Sequence, residues 1–152
     1  MLSEYLNEKT IQTNIRADDW RQAIRKAGQI LVDDGSVQST YVDAMIRNGE
    51  ENGGYFVLVP GVAIPHAKSE SGVNKVGMSL MTLENPVNFL ESPNNPVKLV
   101  ICLAAVDNST HIDALKLLAA FLGDECRVAE VMAAKDGKEV IVKIVVHHQN
   151  LI

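Results

Sequence analysis

The sequence has little of what marks a secreted, membrane-spanning or disulfide-bonded protein. It contains two cysteines, Cys102 and Cys126, whose spacing fits neither a disulfide framework nor a structural zinc site. The longest apolar stretch, residues 97–106, is interrupted by Lys98 and is too short to span a bilayer. The first eight residues include two acids and no basic apolar run, so we expect no signal peptide and a cytoplasmic location.

Basic residues are also in the minority. Lys and Arg number 14 against 19 Asp and Glu, and the net charge of −5 predicts no nucleic-acid partner. The sequence has no phosphate-binding glycine loop, zinc signature or Gly-x-Ser-x-Gly elbow, so we expect no metal, no cofactor and no direct binding of ATP. At 47% hydrophobic and 22% charged residues, the 152-residue chain has the balance of one globular domain across residues 1–152.

Hydrophobic periodicity predicts two helices at the start of the chain. The first has an aspartate at its N-cap (Asp18 or Asp19), ends at Gly35, and has apolar residues three and four apart on one face. These residues are Trp20, Ile24, Ala27, Ile30 and Leu31. The second helix covers residues 38–48 and is followed by a glycine-rich turn over residues 49–54.

Short β-rich runs fill the middle of the chain. Strands are predicted over residues 55–59, 62–64, 75–83 and 99–106, and the last is a continuous apolar run typical of a strand covered on both faces. Helices follow over residues 111–122, with Thr110 and Asp113 as a capping pair, and over residues 124–134. The β-branched segment 140–146 is interpreted as a helix because Asp136 and Glu139 signal a helix start. The prediction is an α/β fold: a single-domain sandwich with a central mixed β-sheet of about five strands, flanked by helices on both sides.

His66 is the first candidate for chemistry. It follows Pro65 at the end of an apolar strand, and the proline fixes the direction in which the imidazole leaves the strand. A neutral imidazole near pH 7 is a good phosphoryl acceptor, and its phosphoramidate remains reactive enough to pass the group on. The alternative is a histidine that only caps a loop.

His111 is the second candidate. It lies where a helix starts after the predicted central strand, at the sheet edge where sites of α/β proteins gather. Helix-start amides there, over residues 109–111, favour a bound anion, and a second histidine could hydrogen-bond a phosphoryl oxygen. The alternative is a solvated residue in the first turn of the helix.

Two sequence blocks carry a resemblance to a known family. Residues 51–68, with the motif Pro-Gly-Val-Ala-Ile-Pro-His ending at His66, resemble the active-histidine segment of enzyme IIA (EIIA) domains of the bacterial phosphoenolpyruvate-dependent sugar phosphotransferase system (PTS), type 2, the mannitol/fructose superfamily. The amino-acid sequence of this block is most similar to the L-ascorbate-type branch, and residues 104–111 also resemble that branch, including the histidine at position 111. Two blocks in the right order are a more specific signal than either histidine alone.

The resemblance implies that His66 is the phosphorylated residue and that His111 is its phosphoryl-stabilising neighbour. It implies HPr as phosphoryl donor, an enzyme IIB cysteine as acceptor, membrane enzyme IIC as an indirect partner, and L-ascorbate or a related carbohydrate as the transported sugar. Both protein partners are expected on one apolar surface at Phe56, Val59, Val62 and Ile64.

Several features of the sequence leave choices open. Gly54 and the pair Lys68-Ser69 depart from the L-ascorbate-type wording, and Arg47 lacks the spacing of the arginine found in mannitol-type members. The roles of Arg47 and Lys68, the oligomeric state (monomer or dimer) and the phosphorylated nitrogen therefore stay open. The alternative function is a regulatory module that senses phosphorylation and is not coupled to sugar transport.

Overall fold

The computed structural model describes the backbone of residues 2–150 and the side chains of residues 2–52 and 55–144. Five strands form one mixed sheet in the order β1-β4-β5-β3-β2. The strands are β1 (Ile11–Ile15), β2 (Val57–Val59), β3 (Val62–Ala63), β4 (Gly77–Val87) and β5 (Val97–Ala104). The β1–β4 and β3–β5 pairs are parallel, and the β2–β3 and β4–β5 pairs are antiparallel.

Five α-helices cover the two faces of this sheet. They are α1 (Trp20–Asp33), α2 (Ser39–Asn52), α3 (Asn108–Leu122), α4 (Glu125–Met132) and α5 (Gly137–Asn150). Buried residues of α1 and α2 form one hydrophobic core with one face of the sheet, and those of α3, α4 and α5 form a second core with the other face. The predicted α/β sandwich is confirmed, including the final helix. Within the described residues, no helix is both long enough and apolar enough to cross a membrane.

Strand β5 lies at the centre of the sheet and supplies both cores. Its residues Val100 and Cys102 face the α1–α2 core, whereas Leu99, Ile101 and Leu103 face the other core. All five are fully buried. Alternation of side chains between two covered faces explains why this strand is a continuous apolar run in the sequence.

Two predicted boundaries near the second helix are wrong. Helix α2 continues to Asn52 and does not end in a turn at residues 49–54, and residues 53–56 form a 3-10 turn, so that β2 begins only at Val57. Gly49 lies inside the helix, at a position where a Cβ would come within 2.7 Å of the Trp20 ring. Its lack of a side chain therefore serves the close packing of α1 against α2 and does not mark a helix end.

The start of α3 also differs from the prediction. The N-cap is Asp107, whose carboxylate accepts a hydrogen bond from the Thr110 amide at 2.8 Å, and Thr110 is the third helical residue. The Thr110 hydroxyl in turn accepts from the Asp107 amide at 3.3 Å, which completes a capping box. The helix therefore begins three residues before the predicted position, and His111 lies in its first turn.

Candidate functional site

The sheet brings the two candidate histidines together. Strand β3 pairs in parallel with β5, and the pairing continues beyond β3 because the Leu103 amide donates to the Pro65 carbonyl at 3.1 Å. His66 thus leaves the sheet beside the carboxyl end of β5, where the chain turns into α3. The centroids of the His66 and His111 rings are 5.3 Å apart, with their planes inclined at 54°.

The His66 ring is held at both nitrogens. Its Nδ1 lies 2.8 Å from the Ile64 carbonyl oxygen, and its Nε2 lies 3.0 Å from the Tyr55 hydroxyl oxygen. A carbonyl oxygen only accepts, so the Nδ1 contact requires a proton on Nδ1. In the neutral ring, Nε2 therefore keeps the lone pair. The Phe56 ring meets the imidazole edge-on at a centroid distance of 5.5 Å and restricts its rotation.

Helix α2 holds the His66 segment through two polar side chains. The buried Tyr41 hydroxyl accepts from the Ala67 amide at 3.0 Å and donates to the Leu103 carbonyl at 2.6 Å. Seven residues later, Asn48 Nδ2 donates to the His66 carbonyl and to the Tyr55 hydroxyl oxygen, each at 3.0 Å. A spacing of seven places both side chains on one helix face, so a single helix holds both polar groups of the peptide bond between His66 and Ala67.

Burial sets the protonation of the site. It lowers the pKa of the His66 imidazole below its ordinary value; the hydrogen bond to Ile64 opposes this effect, and His111 lowers the pKa further. Burial also raises the pKa of the Tyr55 phenol, an effect that the hydrogen bond from Asn48 partly offsets. At neutral pH the site therefore presents a neutral imidazole beside a protonated phenol.

An open cleft of about 520 Å³ gives access to the two histidines, and it is lined by Asn48, Tyr55, His66, Ala67, Lys68, Ser69, Glu70, Ala105, Asp107, Asn108 and His111. Lys68 is the only lysine or arginine among the described residues that line it. Arg47 lies outside this cleft, in two neighbouring surface pockets. Of the two cations left open by the sequence, only Lys68 is among the residues that line this cleft.

The amides at the start of α3 are less free than the sequence suggests. The Thr110 amide donates to the Asp107 carboxylate, and the His111 amide donates to the Asp107 carbonyl at 3.1 Å. The hydrogen bonds from the Thr110 amide and hydroxyl lower the pKa of the exposed Asp107 carboxyl, so it is negatively charged at neutral pH. The prediction that the amides of residues 109–111 bind an anion is therefore wrong for Thr110 and His111, because both amides already donate to Asp107.

The apolar partner surface was expected at Phe56, Val59, Val62 and Ile64, but most of these residues are not at the surface. Phe56, Val62 and Ile64 are at most 2% exposed and belong to the cores, and Val59 is half-buried. Tyr55 lines the cleft and is 41% exposed, and two further exposed apolar residues, Val106 and Ile112 at 44% and 50%, are chain neighbours of residues that line it. Leu58, 50% exposed, lines a separate apolar groove between β2 and α3.

Sequence reasoning placed His66 and His111 correctly in one cleft but missed Asn48 and Tyr55. Tyr55 lies inside the family-like block, so its position in that block was the available signal. Asn48 was detectable only through its spacing of seven residues from Tyr41, and that spacing has meaning only once α2 is known to pack on the His66 segment. No group of three His, Cys, Asp or Glu side chains in the described residues is placed to hold a metal ion.

Comparison with known proteins gives a consistent result. Residues 4–145 match the family described as "Phosphoenolpyruvate-dependent sugar phosphotransferase system, EIIA 2". The mannitol-specific cryptic phosphotransferase enzyme IIA component of Escherichia coli (strain K12) is 38% identical over 140 residues, covering 91% of this chain and 93% of that protein. The ascorbate-specific PTS system EIIA component of the same organism is 34% identical over 134 residues, covering 88% and 87% of the two chains.

Solved structures agree with the sequence matches. The NMR structure of the complex of enzyme IIAMTL and phosphorylated enzyme IIBMTL from Escherichia coli contains a chain that matches with a TM-score of 0.82 at 28% identity. The match covers 92% of this chain and 96% of that chain. The resemblance seen in the sequence therefore extends to the whole arrangement of the sheet and helices.

Proposed function

The chain belongs to the EIIA type 2 family of the phosphoenolpyruvate-dependent sugar phosphotransferase system, and on that basis we propose that it is a cytoplasmic phosphocarrier that takes a phosphoryl group on His66. The observation that carries the proposal is the fixed imidazole of His66, which keeps its proton on Nδ1 and lines an open cleft beside His111. Relatives at 34–38% identity are components of sugar phosphotransferase systems, so the regulatory alternative is not favoured.

The accepting atom is Nε2 of His66. Nδ1 is occupied by its hydrogen bond to the Ile64 carbonyl at 2.8 Å and keeps its proton, so Nε2 is the nitrogen with a lone pair to give. The lowered pKa of the imidazole keeps the ring neutral, and therefore nucleophilic, at and below neutral pH. Because the ring is already oriented by the hydrogen bond at Nδ1 and by Phe56, attack on an incoming phosphoryl group needs no reorientation of the ring.

Stabilisation of the transferred group falls to the neighbouring side chains. A phosphoryl group adds about −1.5 to −2 charge. Among the residues that line the cleft, His111 can donate to its oxygens and Lys68 can offset its charge, while the Asp107 carboxylate at the cleft opposes binding. Transfer in such a site consists of positioning and electrostatic stabilisation, with no cofactor taking part.

HPr is the proposed donor and an enzyme IIB cysteine the proposed acceptor, with the membrane enzyme IIC served indirectly. Both proteins meet His66 in turn on the apolar surface formed by Tyr55, Leu58, Val106 and Ile112. The match to a chain from the complex of enzyme IIAMTL and phosphorylated enzyme IIBMTL supports a IIB partner. The functional unit is the single domain over residues 1–152.

The proposed sugar is L-ascorbate or a related carbohydrate, on the wording of the two sequence blocks. The relatives include both an ascorbate-specific and a mannitol-specific component, so the acceptor protein is the direct test. Phosphorylated chain should be offered to an ascorbate-type and to a mannitol-type enzyme IIB in parallel. Faster transfer to the ascorbate-type protein is expected, and faster transfer to the mannitol-type protein would reject this sugar.

The function itself is tested by incubation with phosphoenolpyruvate, enzyme I and HPr, followed by intact-mass measurement. The wild-type chain should gain one phosphoryl group that is stable in base and lost in acid. His66→Ala should gain none, while the matched variant His111→Ala should still be labelled. Full labelling of His66→Ala would end the assignment.

A further inference from the structure

We propose that Tyr55 is a catalytic residue of the phosphoryl transfer: its hydroxyl donates to Nε2 of the resting imidazole and then moves to an oxygen of the arriving phosphoryl group. This inference rests on the proposed phosphorylation of His66. It assigns chemistry to a side chain that touches the reacting nitrogen at 3.0 Å.

Two independent contacts fix the direction of the hydrogen bond between Tyr55 and His66. On one side, Asn48 Nδ2 can only donate, so at 3.0 Å it occupies the Tyr55 oxygen as an acceptor and leaves the phenol proton for another partner. On the other side, the proton of the imidazole is on Nδ1, bonded to the Ile64 carbonyl, so Nε2 can only accept. The phenol O–H must therefore point at the Nε2 lone pair.

The donor chain extends back into helix α2. The two hydrogens of Asn48 Nδ2 go to the Tyr55 oxygen and to the His66 carbonyl, each at 3.0 Å. The Asn48 side-chain oxygen accepts from Asn52 Nδ2, one turn further along the helix. A flipped Asn48 amide would set its oxygen against the His66 carbonyl oxygen and its NH2 group against Asn52 Nδ2, and would lose both of those hydrogen bonds, so its orientation is fixed. Successive donors of this kind polarise one another and strengthen the last hydrogen bond of the chain, at the imidazole.

Burial and packing suit the phenol to this role. Burial raises the pKa of Tyr55, which keeps the hydroxyl protonated and able to donate at neutral pH. The ring packs on Phe56 at a centroid distance of 4.7 Å and on His66 at 5.5 Å, yet 41% of the residue stays exposed at the cleft. The hydroxyl can therefore shift by a small movement of the ring without disturbing either core.

The transfer step requires that shift. The Nε2 lone pair forms a bond to phosphorus while the bond from phosphorus to the donor's histidine nitrogen breaks, and the electron pair of that bond returns to the donor. No proton is transferred in this step. Nδ1 keeps its proton, which stays hydrogen-bonded to the Ile64 carbonyl oxygen, and the product is a phosphoimidazolium. Because the lone pair is now in a bond, the Tyr55 O–H has lost its acceptor, and the phosphoryl oxygens on the same nitrogen are the acceptors that replace it.

The balance of hydrogen bonds predicts the direction of the effect. The resting state has a neutral hydrogen bond from the phenol, whereas the phosphorylated state has one to a charged oxygen, which is about twice as strong. Tyr55→Phe removes both and keeps the ring. We therefore expect the equilibrium between phosphorylated donor and chain to shift against the chain by about fivefold, and transfer to enzyme IIB to slow by about tenfold.

The test compares Tyr55→Phe with Tyr5→Phe, the same change at a tyrosine packed against the opposite core. Phosphoryl occupancy is measured at equilibrium with HPr, single-turnover transfer is followed to enzyme IIB, and the His66 pKa is measured by 15N NMR. Tyr55→Phe should show both losses and a raised His66 pKa, because the lost hydrogen bond favoured the neutral ring. Tyr5→Phe should behave as wild type.

The outcomes separate this inference from the proposed function. If wild-type chain is phosphorylated on His66 and Tyr55→Phe matches Tyr5→Phe in occupancy, rate and His66 pKa, Tyr55 has no catalytic role. If the wild-type chain accepts no phosphoryl group at all, the proposed function is rejected, and the role of Tyr55 with it.

Discussion

Replacing Tyr41 by phenylalanine removes one oxygen atom from the interior, and we expect it to weaken both the fold and the transfer reaction. The Tyr41 hydroxyl is fully buried and joins the end of β5 to the residue after His66, through the Leu103 carbonyl at 2.6 Å and the Ala67 amide at 3.0 Å. Phenylalanine fills the same space but satisfies neither group. The change therefore isolates the polar contribution of this side chain.

The magnitude follows from what is left behind. A buried polar group that loses its partner costs about 1–3 kcal/mol, and this applies in full to the Leu103 carbonyl. The Ala67 segment is only partly buried, so water can replace some of the loss there. We expect the free energy of unfolding to fall by about 2–4 kcal/mol, which corresponds to a melting temperature lower by roughly 5–15 °C for a chain of this length.

The effect on transfer comes from the freedom given to His66. Without Tyr41, the segment after Pro65 is held by Asn48 and by the hydrogen bond from the Leu103 amide to the Pro65 carbonyl. Small displacements of a nucleophile can cost up to about a hundredfold in rate, and we expect acceptance from HPr to slow by roughly tenfold.

Urea denaturation and single-turnover phosphorylation of Tyr41→Phe and Tyr5→Phe are the measurements. Tyr5→Phe is the matched control, because it is the same chemical change against the core on the opposite face of the sheet. Wild-type stability of Tyr41→Phe would refute the hydrogen-bond reasoning. Reduced stability with an unchanged transfer rate would show that Tyr41 supports the fold but does not position His66.

Two further predictions concern the histidines themselves. His111→Ala should still accept a phosphoryl group from HPr but pass it to enzyme IIB roughly ten- to a hundredfold more slowly, as expected for one lost hydrogen bond to a charged oxygen; unchanged single-turnover transfer would remove His111 from the site. Because burial lowers the pKa of His66, its imidazole should stay neutral as the pH falls through about 6.5 and protonate only below that value, which 15N NMR titration would measure. The unfolded chain takes up this proton first, so stability should be lost as the pH falls from the ordinary histidine pKa toward the lowered one; a titration midpoint at or above the ordinary value would contradict this.

The larger elements of the fold could be predicted from the sequence because their patterns are strong. The continuous apolar run of β5 predicts a strand buried on both faces, and the apolar stripe of α1 predicts a helix buried on one face. Strand β1 was not predicted, since Ile11–Ile15 is a five-residue edge strand with exposed polar residues, and it is defined by its pairing with β4. Local signals also misplaced the start of α3, because Thr110 fits a capping motif either as the cap or as the third residue.

The candidate site was predictable only in part, for a related reason. His66 and His111 each follow a strand, and the rule that functional groups gather at the carboxyl ends of strands was enough to place them together. The side chains that hold the main chain at His66 and the Tyr55 hydroxyl come from α2, and one of them, Asn48, lies 18 residues before His66 in the sequence. The approach of α2 to the site depends on how α1 and α2 pack, including the close contact at Gly49, and no local pattern encodes that.

The parallel pairing of β3 with β5 has a consequence for how this chemistry can change over time. Neighbouring strands lie about 4.7–4.9 Å apart because of their backbone hydrogen bonds, and the two imidazoles are separated by a similar 5.3 Å. The main-chain pairing thus sets how far apart the two chain segments that lead to the histidines leave the sheet, whatever side chains fill the two cores, and α3 then places His111 beside His66. Substitutions in either core can change its packing without changing the spacing of the paired strands. The same pair of histidines could therefore be designed into another sheet with two adjacent parallel strands. One strand would need to be followed by a Pro-His sequence, and the other by the start of a helix that carries the second histidine.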